Sequence, residues 1–214
     1  MIQLKMNKDI IQYDSIVSAD KICFDITDYI EKSNFVLDFI RIDSTIIHND
    51  YEKYIKDNID NISNIDVSAI TKEQLYANII DSTHQYVLNA IPIIDKMIND
   101  FYIGGKENTS IDNLGELIEG INWIVSTSYA INQSMKEQIN IFDNHLWLEF
   151  YRLVEKIDEV ILDLKEAIIN MDTTLIADIL KYEISETFIN IDETLESLMI
   201  GKSDDKSDDK SEYN

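Results

Sequence analysis

Apolar residues follow two different rhythms along this chain, and the change falls near Thr71. Before it, short alternating runs flank one helix-like stretch. Ile2, Leu4 and Met6 alternate with polar residues, Asn7 to Asp9 reads as a turn, and Ile10 to Tyr13 returns as a second strand. Ser18, or Asp20 just after it, can cap a helix that runs to about Lys32 and buries Ile22, Ile26, Tyr29 and Ile30. Ser33 and Asn34 end it. Phe35 to Ile42 is rich in β-branched and aromatic residues, and Asp43-Ser44 turns it into Ile46-Ile47 as a second hairpin. Tyr51 to Ile59 reads as a short helix, and Ile62, Ile65, Val67 and Ile70 as a last strand.

After Thr71 the apolar positions recur every three or four residues almost to Ile200. Thr71 and Gln74 have capping-box spacing, and Leu75, Ile79, Tyr86, Ala90, Ile94, Met97 and Phe101 form the stripe of a long helix. Pro92 predicts a kink near Leu88 to Ile91, and Gly104-Gly105 a stop. Ser110 or Asp112 starts the next helix, with Leu114, Leu117, Ile121, Ile124 and Val125 inward and fraying past Ile131. In the third, Leu146, Phe150, Leu153, Ile157, Val160, Leu164, Ile168 and Met171 make a coiled-coil-like seam. Asp172 to Thr174 form a tight turn into a final helix that buries Leu180, Ile184, Phe188, Ile191, Leu195 and Leu198. So short a turn predicts antiparallel neighbours, and four such stripes cover one another.

The expected fold is therefore α+β and helix-dominated overall: a small mixed domain over residues 1–70, an antiparallel four-helix bundle over 71–200, and a disordered acidic tail over 201–214. The order of elements in the first part resembles the β-grasp (ubiquitin-like) arrangement, in which one helix packs across a mixed sheet. The tail has no aliphatic residue after Gly201 and cannot repay the entropy of ordering.

Charge narrows the choice of partners. The chain has 41 acidic and 18 basic residues, net −23. Such a surface repels phosphate backbones and anionic lipid, so neither nucleic acid nor membrane is expected. A protein partner, basic or amphipathic, suits it. The seams could also close between copies as a homo-oligomer. Cys23 is the only cysteine, and Met1 to Ile10 lacks the apolar run of a secretory signal, so the expectation is a cytoplasmic protein.

Candidate chemistry is sparse. Asp81 with His84, and His145 with Glu149, have metal-ligand spacing on a helix face, but a di-iron bundle uses Glu-x-x-His motifs, and the chain contains none. There is no nucleophile elbow, phosphate-cradling glycine loop or EF-hand order, and Cys23 reads as a structural thiol. No catalytic residue, metal site or cofactor is expected. The candidate partner surface is aromatic: Phe101, Tyr102, Gly120, Trp123, Trp147 and Tyr151, with Gly120 permitting close helix approach. The expected function is that of a non-enzymatic interaction or adaptor protein, chaperone-like, with a metal-binding or enzymatic bundle built on the two histidine pairs as the alternative.

Phe101-Tyr102-x-Gly104, Leu117-Ile118-Glu119-Gly120-Ile121-x-Trp123 and Asp172-Thr173-Thr174-Leu175-Ile176-Ala177-Asp178-Ile179-Leu180-x-Tyr182-Glu183 resemble segments that recur in a family of uncharacterised bacterial helical proteins. The resemblance implies a helical domain and carries no activity or site residues with it.

Overall fold

The structure, a computed structural model, describes residues 1–14, 16–103, 108–135 and 144–204. The chain divides into two compact units, 1–77 and 78–214. The division falls inside a helix, seven residues beyond the boundary expected at residue 70.

The first unit is a five-stranded sheet carrying helices on one face. Its elements are β1 (Ile2–Met6), β2 (Asp9–Tyr13), α1 (Ala19–Ser33), β3 (Val36–Ile42), β4 (Thr45–Ile47), α2 (Tyr51–Asn58) and β5 (Asn64–Ile70). The strand order is β2-β1-β5-β3-β4, with β1 and β5 parallel and the other pairs antiparallel, which is the β-grasp arrangement. The turn residues explain why the chain reverses where it does. Asn7, Asn34 and Asp43 all adopt left-handed backbone, which short polar side chains tolerate. Of the two possible caps for α1, Ser18 accepts from the Lys21 amide. Alternate strand residues Leu4, Met6, Ile40, Ile42, Ile65 and Val67 meet Ile22, Cys23 and Ile26 of α1 and Ile55 of α2 in one core.

The second unit continues α3 (Lys72–Tyr102) and adds α4 (Asn108–Met135), α5 (Asn144–Ile169), α6 (Thr173–Ile179), a π-helical segment Leu180–Ser185, and α7 (Glu186–Asp204). The capping box at the start of α3 is reciprocal: Thr71 N–H donates to Gln74 Oε1 at 3.0 Å, and Gln74 N–H to Thr71 Oγ1 at 3.2 Å. α3 passes through Pro92 as one helix. The proline removes the donor for the Leu88 carbonyl, and both residues are exposed, so water can take that acceptor.

Side-chain contacts fix the helix directions. Asp100 pairs with Ser110 and Tyr86 with Leu117, Asn132 with Trp147 and Tyr129 with Asp158, and Tyr102 with Asp178 and His84 with Asp192. Each series runs up one helix and down the next, as an antiparallel four-helix bundle requires. The buried Thr83, Thr187 and Thr194 donate to carbonyls four residues back in their own helices, so they enter the core without an unmet donor.

The inward faces of α4 and of the last helical run match expectation: Leu114, Leu117, Ile121, Ile124 and Val125, then Leu180, Ile184, Phe188, Ile191, Leu195 and Leu198, are all buried. Two stripes are rotated. On α5 the core positions are Trp147, Phe150, Val154, Ile157, Ile161, Leu164 and Ala167. Leu146, Leu153, Val160 and Ile168 are only half-buried, and Met171 is exposed. At the start of α3, Tyr76, Ile80 and Val87 face inward where Leu75 and Ile79 were expected. Both helices have apolar residues at adjacent positions, so the stripe is wider than the face that packs. α4 reaches Met135, past the expected fraying at Ile131. Residues 201–204 of the expected tail continue α7; the Gly104-Gly105 stop and residues 205–214 lie outside the described residues.

Candidate functional site

The most distinctive surface of the bundle lies where α5 turns into α6. Met171 takes left-handed backbone, φ 55°, with its side chain in solvent. The Asp172 amide then reaches the Ala167 carbonyl and the Met171 amide the Ile168 carbonyl, both at 3.0 Å, which satisfies the end of α5 as a Schellman motif. Asp172 caps the next helix by accepting from the Leu175 amide at 3.0 Å. One residue thus closes α5 and opens α6, and holds the two side by side.

The π-helical segment sets which residues of that hairpin face out. Ile176, Leu180, Ile184 and Phe188 are all buried at successive steps of four. In a regular α-helix each such step drifts by about 40°. The wider π turn takes up that drift, keeping all four inward, and it leaves Glu183 half-buried and Tyr182 exposed.

Between α5 and this wall runs an open groove of about 630 Å³. Its apolar floor includes Val160, Leu175 and Ile179. Glu159, Asp163 and Glu166 line one side at helical spacing, and Glu183 the other. Among the described residues Lys156 is the one cation lining it, with Nζ 3.5 Å from Glu183 Oε2. Four carboxylates against one ammonium leave three negative charges without a counter-charge in the groove. On the far flank of the same wall, Tyr102 donates to Asp178 Oδ1 at 2.6 Å. The Lys181 ammonium lies 5.8 Å from the Tyr102 ring and 4.9 Å from the Tyr182 ring. The hydrogen bond to Asp178 pushes the Tyr102 phenol up to about 12, so it stays a neutral donor.

The six residues of the expected aromatic surface do not form one site. Phe101 and Trp147 are core residues, 4 % and 2 % exposed, because their wide rings fill the bundle interior. Trp147 Nε1 donates to Asn132 Oδ1 at 3.1 Å, and its ring lies against Phe150 and Tyr151, with Tyr151 half-buried and edge-on to Tyr129. That cluster is at the start of α5, the opposite end from the groove hairpin. Trp123 is 40 % exposed on α4. Gly120 admits the Tyr86 ring: a Cβ there would collide with the phenol oxygen. Only Tyr102, 42 % exposed, belongs to the surface around α6.

The fold gives the first candidate histidine a partner outside its expected pair. His84 Nε2 lies 2.8 Å from Asp192 Oδ1 of α7, across the bundle, while Asp81 is exposed. His145 and Glu149 are both exposed on α5. Among the described residues no three His, Cys, Asp or Glu side chains gather as metal ligands. The Cys23 thiol is buried, which pushes its pKa up and disfavours the nucleophilic thiolate. No helix among the described residues is long and apolar enough to cross a membrane.

Sequence reasoning missed the groove because its two walls lie on separate helices. A signal was present, since the segment 172–183, one of those resembling stretches in other helical proteins, is the wall itself. No curated protein and no solved structure matches the chain. A family model described as Domain of unknown function (DUF8042) matches residues 78–194, which is more than half of the chain and contains both walls of the groove, and the chain belongs to that family.

Proposed function

We propose that this protein is a non-enzymatic binding module, cytoplasmic and chaperone-like, which holds a basic amphipathic helix of a partner protein in the groove between α5 and α6. One observation carries the reading: an apolar floor flanked by four carboxylates and a single lysine. The floor supplies affinity at roughly 25 cal/mol per Å² of apolar surface covered. The charges contribute less, since exposed ion pairs are worth about 0.2–1 kcal/mol each. They select the sign of the partner and speed encounter, and they weaken with salt. Glu159, Asp163 and Glu166 follow the helical period, so a partner helix lying along α5 meets them with lysines at the same spacing.

The test is calorimetric titration of the full chain with an amphipathic peptide of about 15 residues bearing lysines on its polar face, alongside the same peptide with glutamates. The lysine peptide is expected to bind at about micromolar Kd at low salt, to weaken as salt rises, and to be lost in the double variant Asp163→Lys, Glu166→Lys. Equal binding of the two peptides, or indifference to the double variant, would sink the proposal.

A further inference from the structure

The sheet unit has a second exposed surface of different character, on the face that α1 and α2 leave uncovered. Strand register places Ile10, Lys5, Asp66, Arg41 and Ile46 side by side in one row across all five strands, in the order β2, β1, β5, β3, β4. The two terminal isoleucines, on the edge strands, are 56 % and 49 % exposed. Between them the charges alternate as positive, negative, positive. Lys5 Nζ takes Asp66 Oδ1 at 3.6 Å. Arg41, one of two arginines in the chain, makes no ion pair with any described residue; its guanidinium lies 5.6 Å over the Phe39 ring. Phe39 is in turn set edge-on against His48 at 6.2 Å. A guanidinium held over a ring keeps its planar fork of donors free for an outside acceptor. The surface dips here by about 280 Å³, lined by Lys5, Phe39, Arg41, Asp66 and Ser68 among others.

We propose that this open sheet face is a second docking surface, for a partner segment that presents one carboxylate to Arg41 and an aliphatic side chain to the neighbouring Ile46. Charge complementarity selects that occupant. Adjacent strands are about 4.8 Å apart, so the carboxylate and the aliphatic group must be neighbours, as residues three or four apart on a helix are. A polyanion such as nucleic acid is excluded by Asp66 within the row and by the net charge of −23, whereas a single carboxylate pays little long-range repulsion at physiological salt. The sheet unit is also the less acidic part, with eight Lys and Arg against fourteen Asp and Glu over residues 1–77. This surface is distinct from the bundle groove and is independent of the function proposed for it.

The experiment is amide-resolved NMR titration of the ¹⁵N-labelled full chain with a helical peptide of about 12 residues bearing one Glu beside Ile and Leu, and with its Gln counterpart. Shifts are expected on Lys5, Arg41, Ile46, Asp66 and their strand neighbours, with the Gln peptide weaker by about two- to fivefold, as loss of one exposed charge pair implies. Arg41→Gln should weaken the Glu peptide by the same factor and leave the Gln peptide unchanged; Arg41→Lys should fall between; Asp66→Asn should tighten the Glu peptide. Because Arg41 is exposed, the variant spectra themselves report whether the fold is retained. No shifts up to about millimolar peptide, shifts confined to the bundle, or a Glu peptide indifferent to Arg41→Gln would each overturn the proposal.

Discussion

The two units handle their acids differently. In the sheet unit carboxylates meet lysines: Lys5 with Asp66, Lys21 with Asp25, Lys32 with Asp28 and Lys56 with Asp20. In the bundle, among the described residues, the one lysine pair is Lys156 with Glu183. Other carboxylates of the bundle accept from hydroxyls or lie against imidazole, as Asp100 with Ser110, Tyr102 with Asp178, Tyr129 with Asp158 and His84 with Asp192. A phenol satisfies a carboxylate's hydrogen bonding without cancelling its charge. Residues 78–214 hold ten Lys and Arg against twenty-seven Asp and Glu, and remain strongly anionic however well each acid is bonded. Charge neutralisation and hydrogen-bond satisfaction are separate demands, and only the sheet unit meets much of both.

The interiors differ too. On β1 the buried Leu4 is followed by the exposed Lys5, so each residue belongs to one face. On α5 the adjacent Leu153 and Val154 are both apolar, and only Val154 is fully buried. The sharpest way to break this contrast is to truncate each. Val154→Ala should cost about 2–3 kcal/mol in urea unfolding, and Leu153→Ala about half of that or less, although leucine loses more atoms. Equal costs would mean that α5 packs on the stripe centred at Leu153.

Next in size is the helix contact at Gly120. An alanine there collides with Tyr86, and overpacking of that kind costs about 1–3 kcal/mol, against which the better helix propensity of alanine returns up to about 1 kcal/mol. Gly120→Ala is therefore expected to destabilise by about 1–2 kcal/mol alone and to stabilise slightly in a Tyr86→Ala background, where the collision is gone. A double-mutant cycle with no change of sign would break the assignment.

The smallest effect concerns the charge contrast itself. Burial pushes the Asp25 carboxyl up, but hydrogen bonds from Lys21 at 2.6 Å and Tyr13 at 2.6 Å outweigh it and hold the pKa below the ordinary value. A folded pKa below the unfolded one, about 3.9, contributes stability above that pH and loses it as pH falls through the folded value. Wild type should exceed Asp25→Asn by about 1 kcal/mol near neutrality, with solvent screening already discounted, and the gap should close on acidification below about pH 4. Unfolding curves of both proteins across that range provide the check; a gap independent of pH would remove the lysine and phenol bonds as its source.

Every element of the sheet unit was legible in order, because a strand has two faces and turn residues such as Asn7, Asn34 and Asp43 announce reversals. The helical spans were legible as well, together with the capping box at Thr71 and the turn at Asp172. The candidate site was not. Trp147 was expected on the partner surface and lies within, since an aromatic residue beside an apolar stripe carries no mark of which side of it will be covered; Phe101, placed on that surface and also in the stripe of α3, is buried as the stripe implies. His84 finds its partner 108 positions away in the chain, where local spacing pointed to Asp81.

The order of residues by itself determined that a mixed sheet precedes a helical bundle, that Ile2, Leu4 and Met6 share one face of the first strand, and that the net charge is strongly negative. Tertiary packing alone decided the rotation of α3 and α5 about their axes, the pairing of His84 with Asp192, and the convergence of four carboxylates over an apolar floor. The reason is geometric: a helix with a wide apolar stripe can turn by a residue at little cost in burial, and the shapes of its neighbours choose which turn fills space.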